Sequence, residues 1–404
     1  MISSRRGFFF GLSSALAAQA AKGDGEDYWA LVRRQFPLEE GLTYLNAANV
    51  CPASRPVLDR HAELLRDFQA NPSFQNRDKY EKLQEGLRLK IATLLHVSAN
   101  EIAITRNTSE ATNTFIQGID LKLGDEVVLT AHNHPSNLDA WKVRARREGF
   151  TLKIIPVAMP AKSKQHLIDG FEKVITAKTK VVSFTHCTST TGILVPAREI
   201  AEVAHKVGAW VHVDGAQTFG AIAVNLRDIG CDSYSGSSHK WMMGPLEAGV
   251  LYVKADRIPR LWPAIVSAHW SETLEGARKF EVYGQRDDPR LAAFASAIDF
   301  IQMIGMDRTE QRMRHLATYL KTKLVNNSKV EMLTNLEPEV SAGVIRFRLR
   351  GHNLTEAYNK LYSRNRIALA LTDSGDSAGL RFSPHIYNST ADCDVAAEAI
   401  KNLG

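Results

Sequence analysis

Apolar positions along this 404-residue chain fall into short continuous runs, separated by longer stretches in which they recur every three or four residues. The short runs Ile102-Ala103-Ile104, Glu126 to Thr130, Thr151 to Val157, Lys180 to Thr185 and Trp210 to Val213 read as buried strands. Helical spacing marks a long region from Arg55, broken at Pro72 and resumed from Arg77 to Leu95, and a second stretch from Ala197 to Val207. Gly249 to Val253 reads as a return strand. Strand and helix thus alternate, which predicts an α/β core on a mostly parallel sheet. Beyond about residue 275 the rhythm changes. Helices are expected over Arg290 to Ile304 and Arg308 to Val325, then strands near Val330, Val344 and Ile367, and a closing helix from Thr390. That mixture predicts a smaller α+β domain with an antiparallel sheet.

The length suits two domains with ample apolar content for a large core. The formal net charge of +6 is dispersed over helical faces such as Arg144 to Arg147 and Arg312 to Lys323. No basic patch with interleaved aromatics stands out, so nucleic acid is not an expected partner. At the start, Arg5-Arg6 precedes an apolar run through Ala18, and Ala18-Gln19-Ala20 offers small residues for cleavage. This predicts a twin-arginine signal over residues 1–22, passage through the twin-arginine machinery, and a periplasmic location. The run is too short to span a membrane stably, and no other stretch is apolar enough to cross one. Cys51, Cys187, Cys231 and Cys393 follow no zinc spacing and are expected to be free buried thiols.

Candidate chemistry gathers between Asp214 and Pro245. Asp214 stands just past the strand that ends at Val213, where side chains at a parallel sheet's carboxyl edge face the ligand crevice. Lys240 has Ser237, Ser238, His239 and Trp241 as neighbours, and burial would lower its pKa and make it nucleophilic. The turn Thr105 to Glu110 opens a helix whose free N–H groups can receive a phosphate. Thr108 and Ser109 add hydroxyls there, and an N-cap role is compatible with that function. His132 and His134 follow the strand at Glu126 to Thr130, and Ser189 lies in the hydroxyl-rich turn Thr185 to Gly192. Arg381 lies in the run Gly379 to Asn388.

The Asp-x-x-Gln of Asp214 and Gln217, followed by Ser-Ser-His-Lys-Trp and a Gly-Pro, resembles the class V aminotransferase superfamily. These pyridoxal 5'-phosphate enzymes include cysteine desulfurases, kynureninases and isopenicillin N epimerase-like proteins, and the resemblance runs from about Tyr44 to the C-terminus. It implies a fold type I architecture: an N-terminal arm over 23–50, a large domain over 51–275 with a mostly parallel seven-stranded sheet, and a small domain over 276–404. Lys240 would hold the cofactor as an internal aldimine and act as the catalytic acid and base. Asp214 would keep the pyridine nitrogen protonated, and Gln217 would hold the phenolic oxygen. His134, with His132 as fallback, would stack on the ring. Ser189 stands where the desulfurases carry asparagine.

Thr108, Ser109, Ser237 and His239 would hold the phosphate, with Gln285 reaching it from a second subunit in place of the family's threonine. A homodimer with shared active sites follows from the resemblance. Arg381 would grip the substrate α-carboxylate, and Asn46 with Ala48 would line the substrate cleft. The expected function is epimerase-like or aminotransferase-like action on an amino acid or a metabolite derived from one. Cysteine desulfurase or sulfur lyase activity is the alternative. It is disfavoured because the loop Thr372 to Ala378 lacks the mobile cysteine whose thiolate attacks sulfur, unless Cys51 or Cys187 reaches the site. A catalytically silent ligand-binding protein is a third reading, against which Lys240, Asp214 and Arg381 argue together.

Overall fold

The computed structural model describes residues 25–271 and 273–403, so the expected signal over 1–22 and the first residues of the arm lie outside the described residues. After helix α1 (Glu26–Arg33), strand β1 (Thr43–Tyr44) and helices α2 (Arg55–Ala70) and α3 (Phe74–Leu95), the chain enters the main sheet. Its elements are β2 (Ile102–Thr105), α4 (Thr108–Gly118), β3 (Glu126–Thr130), α5 (Pro135–Glu148), β4 (Thr151–Ile155), α6 (Lys164–Val174) and β5 (Thr179–Thr185). Then come α7 (Ala197–His205), β6 (Trp210–Asp214), α8 (Leu226–Ile229), β7 (Ser233–Ser237) and β8 (Gly249–Val253). The break expected at Pro72 is present. Ser73 caps α3, its hydroxyl accepting from the Asn76 N–H at 3.3 Å, so the helix restarts a turn before Arg77.

The seven strands run in the order β2-β8-β7-β6-β5-β3-β4. All neighbours are parallel except β8, antiparallel to both β2 and β7, as a return strand must be. Every residue of β6 and β7 is buried, because helices cover both faces of such a sheet. The strand order reverses between β3 and β5, and the carboxyl ends of β3, β5, β6 and β7 therefore share one edge. They deliver His134, Ser189, Asp214 and Lys240 to a common crevice.

The C-terminal half contributes α9 (Asp288–Ile304), α10 (Met306–Val325), β9 (Val330–Met332), β10 (Ile345–Leu349), α11 (Leu354–Asn365), β11 (Ile367–Ala368), β12 (Ala370–Thr372), β13 (Gly379–Phe382) and α12 (Thr390–Lys401). An antiparallel sheet, β12-β13-β10-β9, packs with α10, α11 and α12 around a second core. Helix α9, expected in this small domain, instead buries Leu291, Phe294, Ile298 and Ile301 in the core of the large sheet. The arm also behaves differently from a free segment. Thr43 pairs with Ile367 and Tyr44 with Ala368, and Leu45 joins the small-domain core.

The two halves are locked where the β5 loop meets β10. Thr334 Oγ1 donates to the Thr191 carbonyl at 2.6 Å, and Ile193 bridges to Ser341. Gly192 sits at φ +71°, and a Cβ there would lie 2.2 Å from the Val344 carbonyl oxygen. Gly192→Ala combines a left-handed backbone with overpacking, so urea unfolding is expected to show a loss of about 2–4 kcal/mol. Unchanged stability would refute this account of the contact.

Candidate active site

At one end of the crevice, the first turn of α4 meets the last residue of β7. Asn107 caps the helix, its Oδ1 accepting from Glu110 N–H at 2.9 Å. The Thr108 N–H donates to Ser237 Oγ at 2.8 Å, and the two hydroxyl oxygens lie 2.7 Å apart. Gly249 makes this approach possible, since a Cβ would fall 2.7 Å from Gly236 O and 2.9 Å from Asn107 Cα. Ser109 is exposed at the mouth. His239, two residues past Ser237, has its Nδ1 buried and without a hydrogen-bond partner. Burial, helped by the Lys240 charge, pulls its pKa down to about 4, so the ring is neutral at physiological pH.

Asp214 and Lys240 are brought together within mutual electrostatic range. Burial lowers the Lys240 pKa to about 8; Asp214 counters that shift and Arg381 adds to it. Asp214 is raised by burial, against the opposing pull of the Ala216 N–H, Lys240 and His134. Its Oδ1 accepts from that N–H at 3.0 Å, which leaves Oδ2 for another donor. His134 faces the same group. It is lowered by burial and by Lys240, while Asp214 raises it, and its Nδ1 accepts from the Ser136 N–H at 3.2 Å. His132 is buried with its Nδ1 3.3 Å from Thr191 Oγ1, and burial alone lowers its pKa to about 4. The spacing of the two histidines alone could not separate them.

The Trp241 indole and the Ala48 carbonyl hold Gln217. Its Oε1 accepts from Trp241 Nε1 at 2.7 Å, and its Nε2 donates to Ala48 O at 2.9 Å. One amide N–H therefore remains for a ligand, a narrower role than expected for this side chain. Sequence reasoning missed His385 as a positioning residue. Its Nε2–H donates to Trp241 O at 3.0 Å and its Nδ1 accepts from Ile386 N–H at 2.7 Å, fixing the backbone beside Lys240. The Ser-Pro-His run after Arg381 was the available signal.

Across the crevice, Arg381 on β13 is buried, with Nη1 donating to Ser189 O at 3.0 Å and Nη2 to Asn46 Oδ1 at 3.2 Å. Its Nε is buried without a partner. Desolvation lowers its pKa to about 10. Asn46 and Ser189 are thus both at the guanidinium, Ser189 through its carbonyl.

A family model described as aminotransferase class-V matches residues 43–395. The chain belongs to that family. Isopenicillin N epimerase of Amycolatopsis lactamdurans is 30% identical over 395 residues, covering 93% of this chain and 98% of that one. A probable cysteine desulfurase of Halalkalibacterium halodurans is 32% identical over 340 residues, 78% of this chain and 81% of the relative. Among solved structures, the cystine C-S lyase C-DES in complex with cysteine persulfide superposes with a TM-score of 0.84 at 24% identity, covering 92% of this chain and 100% of that one. The Escherichia coli cysteine desulfurase CsdA gives 0.82 at 22% identity, with 92% and 97% covered. These likenesses bear out the fold type I architecture.

Within this member of the class-V family, one predicted residue stands apart from the rest. Gln285 is exposed and accepts from Arg77 at 2.8 Å, in a 250 Å³ cleft with Arg106, Tyr283, Arg286 and Arg290. The four thiols are all buried. Cys51 is near the site by backbone, its N–H donating to His239 O at 2.7 Å, but its sulfur lies 3.8 Å from Tyr387 Oη inside the core.

Proposed function

We propose that the protein is a pyridoxal 5'-phosphate-dependent enzyme that moves the α-proton of an amino acid and ends in epimerisation or transamination. The residues present fit the cofactor, because the Thr108–Ser237 hydroxyl pair sits at a helix N-terminus suited to phosphate and His239, two residues past Ser237, keeps a buried Nδ1 without a partner. The buried Asp214 carboxylate lacks a full counter-charge, which a protonated ring nitrogen would provide. When bound, the cofactor supplies an electron sink for the carbanion left at the α-carbon. Lys240 Nζ would hold the cofactor and, once the substrate amine has displaced it, would be the free amine that takes and returns the α-proton, a role matched to a pKa of about 8. Asp214 Oδ2 would hold a proton at the ring nitrogen, His134 would shield the ring from water, and Arg381 would orient the substrate carboxylate.

The state of the cysteines carries the choice of reaction. Persulfide chemistry needs an accessible thiolate, yet the loop at Asp373–Ala378 has no cysteine, and burial pushes the Cys187 and Cys393 thiols up to about 12 and those of Cys51 and Cys231 well above their usual range. An amino-acid panel in D2O, followed by NMR, tests this. Deuterium should enter at the α-carbon of at least one amino acid, with a changed D/L ratio or keto-acid release. Sulfide release from cysteine without such exchange would overturn the proposal, and exchange with none would leave a ligand-binding protein.

Cofactor capture by the apoprotein should rise with pH through a midpoint of about 8, where the Lys240 amine becomes neutral. Arg381→Met should move that midpoint up, since Arg381 disfavours the ammonium, and Asp214→Asn should move it down. A midpoint in the ordinary lysine range would sink the pKa assignment. We further propose a homodimer in which Gln285 and Arg286 serve the partner's phosphate site. The exposure of Gln285, the buried and unpartnered Arg286 Nη2, and the outward-facing Trp262 and Val266 support it. Export through the twin-arginine route remains part of the proposal on the strength of Arg5-Arg6 and the apolar run behind them.

A further inference from the structure

Arg381 has a neighbour that the proposed chemistry does not use. In the antiparallel pair β10–β13, Arg346 lies directly opposite Arg381, so both side chains leave the same face of the small sheet. Both are buried, at 3% and 9% exposure. Arg346 Nε donates to Thr190 O at 2.8 Å and its Nη1 to Gly379 O at 2.7 Å, while Arg381 reaches the adjacent Ser189 carbonyl. The two guanidiniums therefore line one wall against the same turn. Among the described residues neither has an acidic partner.

The other deeply buried arginines show what is missing. Arg88 is paired with Glu281 and Glu85, Arg144 with Glu148, and Arg312 with Glu26. Two desolvated cations side by side, met only by carbonyl dipoles, are costly unless an anion joins them. Burial and the charge of Arg381 pull the Arg346 pKa to about 9, far below the usual guanidinium range. An α-carboxylate at Arg381 neutralises one charge and leaves the other uncompensated.

We propose that Arg346 is a second carboxylate-binding residue beside Arg381, and that the substrate is an amino acid bearing a second acidic group. This rests on the reading of the crevice as an amino-acid site only for the first carboxylate. The partly unfilled guanidiniums, with Arg346 Nη2 and Arg381 Nε outside any protein hydrogen bond among the described residues, provide the donors. The Thr190 and Gly379 carbonyls hold Arg346 in place for the task.

Calorimetric titration of the cofactor-loaded protein with glutarate and valerate tests the proposal. The two acids share a five-carbon chain, differ by one carboxylate, and carry no amine. Glutarate is expected to bind at least about tenfold more tightly, the worth of one charge-assisted pair. Arg346→Met should bring glutarate to the level of valerate and leave valerate unchanged, whereas Arg346→Lys should keep most of the preference. Equal binding of the two acids by the unmodified protein would overturn the proposal. So would an equal weakening of both acids in Arg346→Met, which would mark a strand clamp only. Should the Met variant not fold, the unmodified protein and the Lys variant decide the matter. Glutarate preference with no amino acid altering the cofactor absorbance would instead count against the amino-acid chemistry.

Discussion

Lys240→Ala is expected to lower turnover by about a thousandfold or more, because the variant loses both the nucleophile and the acid–base group. Borohydride reduction of the loaded protein should attach the cofactor's mass to the peptide containing Lys240, and the variant should gain none. The informative control is Lys321, whose pKa burial also lowers to about 8. Acidity alone would not separate the two lysines; geometry does. Lys321 Nζ donates to Asn335 O, Leu336 O and Ser341 Oγ at 2.9 to 3.0 Å, so all three of its protons are used in holding a loop. Label on Lys321, or full turnover without Lys240, would end the proposed mechanism.

Asp214→Asn should reduce turnover by about a hundredfold to a thousandfold while the cofactor remains attached to Lys240. The side chain keeps its shape and its contact with the Ala216 N–H, so the fold has little reason to change. What disappears is the negative charge that holds a proton at the ring nitrogen. Retained cofactor absorbance with collapsed α-proton exchange is the expected signature. Near-normal exchange would show that the carboxylate serves only to cap its own turn.

Much of this arrangement was legible because a parallel sheet writes itself as short buried runs, and its ligand edge as the polar residues that follow them. Asp214 occupies such a position at the end of β6, whereas β7 reads Ser-Tyr-Ser-Gly-Ser, carries no apolar run and is not expected as a strand, so Ser237 and Lys240 were legible from their side chains and motif alone. Harder to read were features set by pairing across long separations. Arg346 looks like a solvent-facing strand residue until its register with Arg381 is known. Helix α9 carries the same apolar spacing whichever core it joins, so its allegiance to the large sheet depended on tertiary packing. Gln217 is a similar case, for its indole and carbonyl partners come from Trp241 and from the arm.

The arm's position has a consequence for how the molecule is made. Residues 43–48 are synthesised early, yet they zip onto Ile367 and Ala368, receive the Arg381 contact at Asn46, and bridge from Asn46 to Ser383. A nascent chain still on the ribosome can assemble the main sheet but has nothing to hold this segment until its own last stretch emerges. Completion of the pocket is therefore a post-translational event, and a truncation ahead of Ser383 should yield a collapsed, ordered core that cannot recognise a substrate.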